Sequence, residues 1–235
     1  MKLSIIIPTY NEEQHLKTLL PYLQNNSSGY LTEIIIVDCG SSDKTIAVAR
    51  EYETKVIKTD SKGRARQMNL AALEAKGEVL YFVHADTIPP SGFDKLIIDN
   101  VKVGRNAGCF TSIFDWNHPF LRFCNFFSRL PFWFCRGGGQ TLFVTKHLFN
   151  SLHGFDESMT IMEEYELIDR LKANTKFKIV KKNAITSARD YRENGPFKLQ
   201  FIYACVFILY ALGASQDYML DFVGRHIAKP AKSCS

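Results

Sequence analysis

Three short apolar runs rich in branched aliphatic residues, "LSIII" at 3–7, "IIIV" at 34–37 and "VLYFV" at 79–83, contain no charged residue and are separated by longer, mixed stretches. A strand with no polar face is buried on both sides. Helical crossovers cover a sheet in that way, and they join parallel strands. The intervening segments suit the part. "NEEQHLKTLL" predicts a helix that Asn11 can cap, with Glu12 and Glu13 in its first turn; "SDKTIAVAREY" predicts one from about Ser42; "KGRARQMNLAALEAKG" predicts one ending at Gly77. Pro8 marks the end of the first strand, and "KVIK" at 55–58 adds a short third one before "VLYFV". The first hundred residues therefore read as a doubly wound α/β unit.

Beyond Asp86 the alternation stops. "NAGCFTSIFDW" and "GQTLFVTK" read as isolated strands, "TIMEEYELIDRLKA" as a helix, and "FKIVKKNAITSAR" as a pair of short strands, so the second half supplies a mixed sheet edge and loops. A chain of 235 residues, 46% hydrophobic, has enough apolar surface for one proper core. The expectation is a single domain over 1–235, with a regular α/β half over 1–100 and a mixed half over 101–235. No internal repeat or low-complexity linker divides it.

The formal charge of +5 suits an anionic ligand or an anionic surface, but the Lys/Arg density is far from that of a nucleic-acid binder. Six cysteines are scattered without a CxxC pair, which gives zinc nothing to bind and predicts reduced thiols in a cytoplasmic protein. Two apolar segments stand apart: aromatic and basic "PFLRFCNFFSRLPFWFC" at 119–135, and "FIYACVFILYALGA" at 201–214, fourteen residues without a charge. The second is too short to span a bilayer, and both suit an interfacial helix, a lid or a protein contact. Peripheral membrane contact is expected through 119–135 or 197–214, at the inner face of a membrane.

Ligands of open parallel sheets sit beyond the carboxyl ends of the strands. Four polar groups fall there: Thr9, Tyr10, Asn11 and Glu12 after the first strand, Asp38 after the second, Lys62 to Asn69 after the third, and His84 with Asp86 after the fourth. Asp38 can accept from the imide of a uracil-type base or close an Asx-turn. Tyr10 offers a stacking face. Arg64, Arg66 and Asn69 lie at the start of a helix, where anionic or ribose groups are received, or form a solvated basic turn. Asp86 can bind Mg²⁺ or Mn²⁺ between two phosphates, while His84 either ligates the metal or orients Asp86. In "MEEYELIDRL", Glu163, Glu164 and Glu166 fill the first helical turns, with Asp169 further on. Neighbouring helix positions point about 100° apart, so only one of Glu163 and Glu164 can serve as a base aimed at a given atom. "RGGGQT" at 136–141 allows close approach of backbone to a ligand, or simply packs.

Taken together, "IIIPTYNEE", "IIIVDCGSSDKT", "GRARQMNLAALEAKGEVLYFVHADT" and "MEEYEL" after "HGFDES" resemble family 2 of the glycosyltransferases, the inverting GT-A group. "HADT", "MEEYELIDRL" and "SARDYRENG" look most like its radical-SAM/selenodomain-associated transferase 2 subfamily. The resemblance implies a GT-A fold: a Rossmann-like, mostly parallel sheet with helices on both faces. It implies a nucleotide-diphosphate sugar donor of the UDP type, a hydroxyl acceptor that lipid could carry, and Mn²⁺ or Mg²⁺. It further implies that Pro8 to Glu12, Asp38 and Ala85 contact the nucleotide, that Asp86 is the last acid of the metal-binding motif with His84 in the place of the first, and that Glu164 is the general base with Glu163 its partner. Glu164 stands where the family has aspartate, and Gly139 where the subfamily's "GDQ"-like loop has one. A nucleotidyltransferase or a noncatalytic nucleotide-binding scaffold would share the sheet and the strand-end acids.

Overall fold

The computed structural model describes residues 1–60, 63–127 and 141–227. Lys62, Arg129, 136–140 with Gly139, and the rest of the aromatic segment after 127 lie outside them. Among the described residues the strands are β1 (Leu3–Thr9), β2 (Leu31–Asp38), β3 (Lys55–Lys58), β4 (Val79–Phe82), β5 (Thr87–Ile88), β6 (Ala107–Phe114), β7 (Leu142–Thr145) and β8 (Lys178–Thr186). The helices are α1 (Glu13–Asn25), α2 (Thr45–Glu51), α3 (Arg64–Glu74), α4 (Phe93–Lys102), α5 (Pro119–Phe127), α6 (Lys146–Ser151), α7 (Glu163–Asn174), α8 (Arg189–Asn194), α9 (Pro196–Ala211) and α10 (Gln216–His226). One sheet runs β3-β2-β1-β4-β7-β6-β8-β5. Its first four strands are parallel, and β7 enters antiparallel to both β4 and β6.

The apolar runs divide between two cores as the pleat requires. Ile5, Ile7, Ile34, Ile36 and Tyr81 face α1 and α4, where Leu16, Leu20, Phe93 and Ile97 meet them. Ile6, Ile35, Val37, Leu80 and Phe82 face the other way, onto Met68 and Ala72 of α3 and Leu167 and Leu171 of α7. Both faces are covered, which explains why these strands carry no polar alternation. Gly108 of β6 is needed for a different reason. A Cβ there would lie 2.2 Å from the Lys178 carbonyl and 2.6 Å from the Phe143 ring.

Several local expectations are corrected. Pro8 does not end β1, which continues to Thr9 with Pro8 opposite Val37. The Ile6 carbonyl accepts from Val83 on the β4 side and the Thr9 carbonyl accepts from Cys39 on the β2 side. By alternation Pro8 faces β4, which has ended at Phe82, so its missing N–H breaks no ladder bond. The expected pair of strands in "FKIVKKNAITSAR" is the single β8, with a register shift opposite Phe110 and Thr111. Lys181 and Lys182 form the irregularity that made it read as two. Cys109, Cys124 and Cys205 form no disulfide, but Cys39 is disulfide-bonded, so thiols are not reduced throughout. Pairing follows proximity in space, and sequence spacing carried no sign of it.

Asp94, in the first turn of α4, is fully buried and holds the loop between α1 and β2. Its carboxylate accepts from Ser27 Oγ at 2.7 Å, Ser28 N at 2.8 Å and Tyr30 N at 2.9 Å. Burial pushes its pKa up, but these donors prevail and hold it below the ordinary value. Asp94→Ala leaves buried donors unpaired and should cost about 2–4 kcal/mol in chemical denaturation. Because the folded pKa is depressed, this contribution is present above the ordinary carboxylate range and is lost as pH falls through the lowered value. A variant with unchanged stability and an unchanged acid limb would refute the assignment.

Candidate active site

Two loops close the carboxyl end of β1 and β2 by bonding to each other. Asn11, in the left-handed region at φ 55, accepts on Oδ1 from Ser42 N at 2.8 Å and Asp43 N at 3.3 Å. Its own N–H donates to Ser41 Oγ at 2.7 Å, and Glu12 N donates to Thr45 Oγ1 at 2.8 Å. Asn11 therefore fastens the second loop instead of capping α1, whose cap is Glu12 without a side-chain bond. With Ser41 to Asp43 committed to the loop, α2 begins at Thr45 and not near Ser42.

Asp38 is fully buried. Oδ1 accepts from Gly40 N at 3.0 Å and Ser41 N at 2.9 Å, and Oδ2 from Ser41 Oγ at 2.5 Å and Thr9 Oγ1 at 3.1 Å. A carboxylate has about four acceptor positions, and all are taken. In this arrangement Asp38 closes an Asx-turn and ties β1 to β2. Gln67, which the sequence reading passed over, works beside it: buried in α3, its Nε2 donates to the Val37 carbonyl at 2.8 Å and the Thr9 carbonyl at 3.3 Å. Pro8 and Tyr10 are half-buried at this end of the sheet.

Helical geometry separates the three α3 candidates. Arg66 and Asn69 lie about 60° apart around the helix, whereas Arg64 is about 200° from Arg66. Asn69 exchanges bonds with the backbone of Phe155, donating at 2.9 Å and accepting at 2.9 Å, and Arg66 approaches Glu157 at 3.9 Å. Both brace the loop before α7. Arg64 turns into the cleft, with Nε 2.9 Å from Glu163 Oε1.

The chain enters α7 through Met162, a buried non-glycine residue at φ 69. Such a conformation costs about 1–3 kcal/mol and concentrates at functional sites. Glu163 and Glu164 follow and separate as adjacent helix positions must. Glu163 is 1% exposed; Arg64 is close enough to pair, yet neither of its oxygens has a well-aligned hydrogen bond. The contact is thus one of charge more than of direction. Burial raises the Glu163 pKa, opposed by Arg64. Glu164 Oε1 lies 2.6 Å from His84 Nε2. Burial lowers the His84 pKa, but the charge and hydrogen bond of Glu164 outweigh it and raise it overall. Burial works the other way on Glu164, and His84 wins there too, lowering it. The two side chains form a close pair. His84 was expected to ligate a metal or orient Asp86; here its Nε2 is engaged with Glu164. Glu166 and Asp169 take no part, since Glu166 is held by Arg170 and Asp169 approaches Lys172 at 4.0 Å.

Asp86 sits in the turn between β4 and β5, partly exposed, next to buried Ala85, with Thr87 Oγ1 3.3 Å from Oδ1. Its charge acts on His15, Arg64, His84, Asp190 and Tyr203, which lie around it. His15 pairs with Glu12 at 2.5 Å, and the Glu12 bond raises its pKa. Asp190 lies 3.6 Å from Arg189 and is raised by burial; Tyr203 is pushed up to about 12, also by burial. His15, Asp190 and Tyr203 escaped the sequence reading. "SARDYRENG" was visible as a motif, but only tertiary packing brings α8 and α9 to Asp86.

Among the described residues, no three His, Cys, Asp or Glu side chains group to hold an ion. An all-protein cage is not how a hard, water-retaining cation binds beside phosphates: one or two carboxylates and the phosphates suffice. Asp86, partly exposed and with few protein partners, fits that role.

The family model described as glycosyl transferase family 2 matches residues 4–130. Dolichol-phosphate mannosyltransferase of Pyrococcus furiosus is 37% identical over 111 residues, covering 45% of this chain and 32% of that protein. Poly(ribitol-phosphate) β-N-acetylglucosaminyltransferase TarS of Staphylococcus aureus is 33% identical over 93 residues, 37% of this chain and 16% of that protein. The matched stretch thus spans a third or less of these curated relatives. In three dimensions, S. aureus TarS 1–349 in complex with UDP-GlcNAc superposes with a TM-score of 0.66 at 18% identity, over 96% of this chain and 72% of that one. A mannosyltransferase from Pyrobaculum calidifontis in complex with GDP-Man and Mn²⁺ gives 0.67 at 16% identity, over 88% and 62%. At these identities the solved structures speak for the fold, which is α/β with a single mixed sheet like theirs. The match of the family model over more than half of its length shows that the chain belongs to glycosyl transferase family 2.

Proposed function

We propose that the chain transfers a sugar from a nucleotide-diphosphate donor of the UDP type to a hydroxyl acceptor, with inversion at the anomeric carbon. One observation carries this reading: Asp86 shares its cleft with the Arg64 guanidinium and with the His84–Glu164 pair at the start of α7. The known company is similar. TarS has been crystallised with UDP-GlcNAc and the P. calidifontis enzyme with GDP-Man and Mn²⁺.

Asp86 would hold Mn²⁺ or Mg²⁺ together with the donor's phosphates, and the ion supplies charge stabilisation for the departing diphosphate. Arg64 adds a fixed positive charge on the same side, and buried Glu163 keeps it aimed there. Glu164 is ionised and occupied by His84 on Oε1, which leaves Oε2 to take the acceptor proton. Glu163, almost wholly buried against Arg64, is not the base. The narrower kinship with the radical-SAM-associated subfamily rests on the motifs around His84, Glu164 and Asp190.

Thermal unfolding in the presence of UDP-, GDP- and dTDP-sugars, each with and without Mn²⁺, tests donor class directly. At a hundredfold excess over Kd a ligand stabilises by about 2.7 kcal/mol, which for a chain of this size raises Tm by roughly 5–10 °C. The largest rise is expected for a UDP-sugar with metal. If no sugar nucleotide moves Tm under either condition, the donor reading is wrong; a GDP-sugar giving the largest rise would replace only the base.

A further inference from the structure

We propose that the outer faces of α9 and α5 form a docking surface for the anionic surface of a lipid bilayer. In α9 and at its C-cap, Phe197, Phe201, Ile208 and Leu212 are 60–78% exposed. At about 100° per residue they fall within an arc of about 60°, one stripe along the whole helix. On α5, Phe123 and Phe126 are likewise exposed, on the face opposite fully buried Leu121. The two sets meet where the Phe120 ring lies 4.3 Å from that of Phe197.

Charge identifies the occupant. Neither helix contains an acidic residue, and each has one cation, Arg122 on α5 and Lys198 on α9, exposed at the edge of its stripe. Exposed aromatic and aliphatic side chains bordered by a Lys or an Arg suit contact with an anionic lipid surface. Beside Arg122 lies a groove of about 360 Å³ lined by Asp115, Trp116, Asn117 and Asn125. No helix among the described residues is long and apolar enough to cross a membrane, so α9 would lie on the surface. Its inner side carries Tyr203, which packs with Tyr191 and Leu199 and feels the charges of Asp86 and Arg64. The stripe and Tyr203 are therefore on opposite faces of one helix.

Co-sedimentation of the full chain with vesicles of phosphatidylcholine, with or without phosphatidylglycerol, tests this independently of any sugar transfer. Binding is expected to the phosphatidylglycerol vesicles at low salt. It should weaken about fivefold for each of Arg122→Gln and Lys198→Gln. Phe201→Ser should weaken it about tenfold, a change at an exposed position that leaves thermal unfolding unaltered. Absence of binding to either vesicle at low salt would overturn the proposal, as would binding that none of the three substitutions changes. So would a dimer in sedimentation velocity that Phe201→Ser dissociates while vesicles bind nothing, because the stripe would then belong to a second copy.

Discussion

Glu164→Gln should bind the donor as tightly as the unaltered chain and lower transfer by about 10²–10⁴-fold. Glutamine keeps the length of the side chain, and its carbonyl can still accept from His84 at the position where Oε1 now lies 2.6 Å away. What it loses is the ability to take a proton. The effect should therefore appear in kcat with donor KM nearly unchanged, which separates a base from a residue that merely shapes the site. The partner gives a second readout. Glu164 raises His84 above its ordinary 6.5, and His84 lowers Glu164 below its ordinary 4.5. The His84 contribution to stability is fully present below 6.5 and is lost as pH rises through its raised pKa. The Glu164 contribution is present above 4.5 and is lost as pH falls through its depressed one. The pair therefore contributes most between those limits, and Glu164→Gln should flatten the stability profile on both sides and bring the His84 titration down. Full turnover in the variant would move the base elsewhere, and Asp190, raised by burial and close to Asp86, would be the group to test next.

The sheet was legible in the sequence because its strands had no polar face to hide: "IIIV" and "VLYFV" feed both cores at once. The strand-end rule then singled out Thr9, Glu12 and Asp86 by position alone. It could not tell a ligand contact from a structural bond. Asp38 and Asn69 stand where a nucleotide group was expected, yet the first is saturated by four protein donors and the second is bonded to Phe155. Helical phase, readable from residue numbers, would have separated Arg64 from Arg66 and Asn69. Nothing local could have paired His84 with Glu164, which lie eighty residues apart in the chain. The same holds for Tyr203, which arrives through the packing of a helix that reads in isolation as merely apolar.

Asp86→Asn should cost the metal dependence of donor binding and lower kcat/KM by about 10²–10³-fold, the range seen when one preorganised charge-stabilising group is removed. Stability should hardly change, since Asp86 is partly exposed and its side-chain contact is the Thr87 hydroxyl at 3.3 Å. The substitution keeps shape and removes only charge, so its electrostatic shadow can be followed without substrate. Asp86 raises the pKa of His15, of His84 and of Asp190, and all three should fall in the variant. NMR titration of the two histidines measures this directly. A drop in both with unaltered, chelator-insensitive transfer would leave Asp86 at the centre of the cleft but remove it from the chemistry. Unmoved histidines together with full activity would remove it from the cleft as well. The combination expected, shifted histidines and loss of metal-dependent donor binding, ties the acid at the end of β4 to the diphosphate, because only a group that faces both the protein's cations and the ligand can change the two at once.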